Sequence, residues 1–157
     1  MGRARLGDLP GAAASFDAAE ELLTSSDYEE EPDWIYWFTV GDLHGIAGQT
    51  YMLADEPGLA VQHLDQAVEG TSEELARDRA LWLSTTATAQ VLTGDLDEAR
   101  HNAEDALEIL RGDLKSGRVT EVLTQFCETL RTRNAGDAAE FEERLMASTR
   151  GDGFAPA

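Results

Sequence analysis

Apolar residues recur at intervals of three and four along most of the chain. One stripe runs Leu96, Ala99, Ala103, Ala106 and Leu110, an earlier one Ala76, Ala80, Leu83, Ala87 and Val91, and a later one Val119, Val122, Phe126 and Leu130. Such spacing places every member on one face of an α-helix, since successive helical residues turn by about 100°. The apolar–polar alternation of a half-buried strand occurs in no segment of similar length. The pattern predicts an all-α fold with helices over about 9–24, 33–54, 57–69, 73–92, 96–110, 116–133 and 137–147, and a flexible tail over 148–157.

Polar punctuation places the helix ends. Pro32-Asp33 precedes an aromatic run, which makes Asp33 the expected N-cap of the second helix. Thr71-Ser72-Glu73-Glu74 has the spacing of a capping box ahead of the fourth. Gly70, Gly112 and Asn134-Ala135-Gly136 stand where helices end and a left-handed residue is favoured.

A turn-plus-helix unit repeats. Gly7-Asp8-Leu9-Pro10-Gly11-Ala12 is matched by Gly94-Asp95-Leu96-Asp97-Glu98-Ala99, and Asp55-Glu56-Pro57-Gly58-Leu59-Ala60 holds the same place between them. Each leads into a helix with the same further pattern: Ala12, Phe16, Ala19; Ala60, Leu64, Ala67; Ala99, Ala103, Ala106. This resembles the second half of the tetratricopeptide repeat (TPR), a helical hairpin in which a small residue midway along the first helix lets the second cross closely. Gly48 and Tyr51 fall at the small position and the following aromatic of the middle repeat, Ala87 at the small position of the next, and His44 and Leu83 where the family usually has Trp. The matched alanines are 48 and then 39 residues apart, against ~34 in regular arrays. The resemblance implies a right-handed α-solenoid of degenerate hairpins over 1–147.

The order of motifs is also similar to the C-terminal region of actinobacterial helix-turn-helix transcriptional regulators of the XRE type. An acidic loop leads into Pro32-Asp33-Trp34-Ile35-Tyr36-Trp37-Phe38, followed by Gly48-Gln49-Thr50-Tyr51, Arg77-Asp78-Arg79-Ala80-Leu81, the Gly94 turn, and Ser116-Gly117-Arg118-Val119. In that family the repeat region follows a separate DNA-binding domain. In the repeat register Met1 falls midway along the first helix of a hairpin, so the expectation is a domain lacking its N-terminal part. The alternative is a stand-alone scaffold that covers the incomplete hairpin by self-association.

Composition narrows the partners. The 157 residues carry 31 Asp and Glu against 12 Lys and Arg, a formal net charge of -19. A surface this negative is repelled by phosphate backbones and anionic headgroups, which argues against nucleic acid or membrane contact by this chain. A hydrophobic share of 42% is that of a folded protein, not a disordered acidic tail. The single cysteine excludes an internal disulfide, and the densest apolar run, Trp34–Phe38, is far short of the ~20 residues of a membrane span. No signal-peptide pattern opens the chain. Cytoplasmic location is the expectation.

No constellation for catalysis, metal or cofactor is evident. His44, His63 and His101 are 19 and 38 residues apart, never at the spacing that puts two ligands on one helix face. His44 is expected in the hairpin core with its ring hydrogen-bonded, and His63 and His101 in solvent. Cys127 follows Phe126 on an apolar stripe and reads as a buried small residue. Trp34 and Trp37 are candidates for a ligand surface as well as for packing. Carrying the family's groove positions over gives Asp42, Gln49 and Met52 on one hairpin and Leu81, Ser84 and Thr88 on the next, with Arg118 as a possible anion contact. The lysine and asparagine of carboxylate-clamp repeats are missing there. The expectation is therefore a non-catalytic module that binds a protein, a peptide or a second copy of itself.

Overall fold

The computed structural model describes residues 7–25, 38–111, 116–135 and 138–149. Among the described residues all regular structure is helical: α1 (Leu9–Ser25), α2 (Val40–Leu53), α3 (Pro57–Gly70), a 3-10 turn (Glu73–Leu75), α4 (Ala76–Thr93), α5 (Leu96–Arg111), α6 (Gly117–Thr132) and α7 (Ala138–Thr149). They form two compact units, Met1–Ser72 and Glu73–Ala157.

In the first unit, Asp8 opens α1 by accepting the Gly11 N–H at 3.0 Å. Thr39 opens α2 with a full capping box. Its hydroxyl oxygen accepts the Asp42 N–H at 3.1 Å, and the Asp42 carboxylate accepts the Thr39 N–H at 2.8 Å. The second helix thus begins at Val40, not at 33, because both halves of the box satisfy the orphan amides there. The expected N-cap, Asp33, lies outside the described residues.

The α2–α3 turn is short and tightly bonded. Asp55 adopts a left-handed φ of 60°, the Glu56 N–H reaches back to the Tyr51 carbonyl at 3.0 Å, and Pro57 starts α3 where no amide donor is needed. The two helices then approach closely at Gly48. A Cβ there would sit 2.4 Å from Cγ of Leu64 and 3.2 Å from the Ala60 carbonyl oxygen. Ala60, Leu64 and Ala67, the repeated stripe of α3, are fully buried. Helix α1 lies against α2, burying Ala12 and half-burying Phe16 and Ala19.

In the second unit the sequence expectation of one helix from 73 is corrected. The Thr71 hydroxyl donates back to the Ala67 carbonyl at 2.7 Å, so Thr71 finishes α3, and Glu73–Leu75 forms a 3-10 turn before α4. Leu75, the N-cap of α4, provides no side-chain cap. Every residue from Ala80 to Val91 is buried. The hydroxyls in this stretch are satisfied locally: Ser84 donates to the Ala80 carbonyl, Thr85 to Leu81, Thr86 to Trp82 and Thr88 to Ser84, at 2.6–3.0 Å. Serine and threonine can therefore occupy an interior helix with their hydroxyls satisfied.

Gly94, at φ 95°, ends α4 in the left-handed conformation. Helices α4 and α5 form a second hairpin, with Ala99, Ala103 and Ala106 fully buried and the Asn102 amide donating to Gln90 Oε1 at 2.9 Å. Ser116 caps α6, and Asn134, at φ 51°, closes it. Helix α6 packs on α4, and α7 packs on α6 and α5. Phe126 is fully buried in an edge-to-face contact with Phe141 at 5.2 Å, and Arg144 pairs with Glu104 while lying over the Phe141 ring.

Candidate functional site

A cluster of titratable groups lies where α1, α2 and α3 meet. His44 falls four residues before Gly48 and so shares the face of α2 turned to α3. His63 falls three after Ala60 and four before Ala67, on the buried stripe of α3. Their Nδ1 atoms are 2.9 Å apart. His63 is not in solvent as its sequence neighbours suggested: its ring stacks on Tyr51 at 5.2 Å and faces Phe16 at 6.2 Å. That spacing of three from Ala60 and four from Ala67 was the available signal. His44 is 6% exposed and bonded, in the core as expected. His101 is exposed, 3.7 Å from Asp105 one turn on.

Charges from α1 face this pair. Glu20 Oε1 is 3.7 Å from Nε2 of His44, an electrostatic contact too long for a hydrogen bond. Burial holds His63 below the ordinary imidazole range, and His44 adds to that, while Glu20 and Asp17 pull the other way. Burial, with Asp17, raises the Tyr51 phenol. An open cleft of about 530 Å³ runs past His44, with Glu20, Thr39, Gln66 and Glu69 among its other walls.

The other sequence candidates are dispersed. Trp34 and Trp37 lie outside the described residues. Asp42 is engaged in the Thr39 cap, and Gln49 and Met52 are half-buried on α2. Leu81, Ser84 and Thr88 are buried within α4, with the two hydroxyls bonded to their own helix. Trp82 is 6% exposed, and its indole nitrogen has no partner among the described residues. Arg118 is exposed at the start of α6. Cys127 is fully buried, and burial followed by Glu142 pushes its thiol up to about 11, against the opposing pull of Arg131. A cavity of about 130 Å³ in the second unit is lined by Phe126, Phe141, Arg100, Glu104 and Arg144 among others.

No group of three or more His, Cys, Asp or Glu side chains suited to a metal ion occurs among the described residues, and no described helix is long and apolar enough to cross a membrane. Compared with known proteins, the chain matches no family model, no curated protein and no solved structure.

Proposed function

We propose that this chain is a degenerate TPR-like module that binds a protein or peptide, and that it serves as the regulatory region of a bacterial transcriptional regulator. The observation that carries the reading is the seat of Gly48. Its missing Cβ is what allows α2 to lie against Ala60 and Leu64 of α3, and a close crossing at a small residue is the defining contact of that hairpin. The α4–α5 hairpin supports it in a second copy, since Ala87, Ala99, Ala103 and Ala106 are all fully buried at the corresponding positions.

Stacked hairpins of this kind leave one side of their first helices available to an extended partner. Gln49 and Met52, half-buried on α2, are the groove positions best placed for that role. With a net charge of -19 the chain leaves DNA contact to another domain, and its protein partner should present basic or neutral surface.

The test begins with the gene. A reading frame that extends upstream of Met1 into a helix-turn-helix domain is expected; a frame opening at Met1 with no such domain fused or adjacent overturns the regulatory reading. In the natural full-length protein, Gln49→Arg should alter output of a reporter while leaving operator binding by the isolated regulator unchanged. Unaltered output would remove the groove from the proposal.

A further inference from the structure

His44 and His63 join α2 to α3 through a contact that holds a single proton. With two Nδ1 atoms 2.9 Å apart, one ring donates and the other accepts. The Glu20 carboxylate, 3.7 Å from Nε2 of His44, favours the tautomer protonated at that nitrogen. Nδ1 of His44 then accepts from the Nδ1–H of His63. A proton added at Nε2 of His63 leaves this bond in place. A further proton must settle on Nδ1 of His44, which sets two N–H groups head to head across 2.9 Å, and the rings must part.

We propose that this pair is an acid-sensitive latch: full protonation separates His44 from His63 and releases α1, whose Phe16 ring rests against His63 and Tyr51, from the α2–α3 hairpin. The ring contacts that would be lost are Phe16 to Tyr51 at 6.1 Å and Phe16 to His63 at 6.2 Å. The charged and titratable groups around the pair are Asp17 and Glu20 from α1, Tyr51 from α2, and Glu69 from α3, which lines the cleft beside His44. The carboxylates favour the cation, whereas burial and the second imidazole oppose it and prevail at His63. The direction follows from linkage. With the rings apart and solvated His63 takes up its proton in the ordinary imidazole range, while burial and His44 make the latched ring resist until a lower pH. The latch is therefore at full strength above the ordinary imidazole range, weakens as pH falls through it, and opens when a second proton must go to Nδ1 of His44.

The experiment is a pH titration of the full chain by NMR, following the imidazole signals of all three histidines and the amide exchange of α1 relative to α6. The signals of His44 and His63 are expected to change together, with His63 held below the ordinary imidazole range, and α1 protection to be lost over the same range. His63→Gln, which keeps a donor for His44, should abolish the acid-dependent loss; Glu20→Gln, which removes a supporting carboxylate, should start it at higher pH. Two rings whose signals change independently of each other and of α1 exchange, or a His63→Gln protein whose α1 opens at the wild-type pH, would overturn the latch. If His63→Gln does not fold, the wild-type titration decides alone.

Discussion

Gly48 is the position at which a single added carbon should matter most in the first unit. Replacing glycine by alanine in a helix interior ordinarily stabilises by about 1 kcal/mol through backbone entropy. Here the new Cβ meets Leu64 at 2.4 Å and the Ala60 carbonyl at 3.2 Å, and overpacking of that sort costs about 1–3 kcal/mol. The clash includes backbone, so it outweighs the propensity gain. Gly48→Ala is expected to lower the urea midpoint with little change in slope; a higher midpoint would show that α3 can step aside. The same close crossing explains why the buried stripe opposite is alanine and leucine. It was readable from the sequence because small residues recur at matched positions. His63 was not, since Gln62 before it and Asp65 two residues after it are exposed, and only its spacing of three from Ala60 and four from Ala67 gives its face.

At the scale of elements, helix starts depend on a few side chains that satisfy orphan amides. Thr39→Ala removes one half of the box that opens α2 and should cost about 1 kcal/mol, read as a lower denaturant midpoint. Ser116→Ala should cost a similar ~1 kcal/mol at α6, where the hydroxyl accepts the Val119 N–H. An unchanged midpoint in either case would mean that solvent replaces the cap. These starts also mark where sequence reading succeeded and failed. Periodicity gave the type and approximate span of the seven described α-helices, because each carries a stripe long enough to define a face. It placed two starts too early, for different reasons. Ahead of α2, aromatic density drew attention from Thr39 and Asp42, whose spacing is itself a capping signal. Ahead of α4, the spacing of Thr71 and Glu74 matched a box, but the threonine bonds backward to α3. A motif constrains spacing alone and leaves the direction of the bond open. The interior of α4 was harder still: its threonines and serine look like surface, yet they are buried because each hydroxyl finds a carbonyl one turn back.

For the whole molecule, the excess of 31 acidic over 12 basic residues is a standing repulsion that folding concentrates into a smaller volume. Screening shortens its reach from ~30 Å at about 0.01 M ionic strength to ~3 Å at about 1 M. Added sodium chloride should therefore raise the thermal midpoint across that range, and a flat or falling midpoint would show that ion pairs such as Arg131–Glu142 and Arg144–Glu104 matter more than net charge. The cysteine makes a further measurement possible. Only a thiolate attacks a disulfide reagent, and Cys127 is both enclosed and held protonated up to about 11. Its modification should be slow in the native protein and accelerate with denaturant in step with exposure; rapid labelling without denaturant would contradict the enclosed thiol. Since the chain has one cysteine, in the second unit, and a bonded histidine pair in the first, each unit carries its own intrinsic probe. Thiol trapping and imidazole titration on one unlabelled sample can thus time the opening of the two units against each other, with no engineered tag in either.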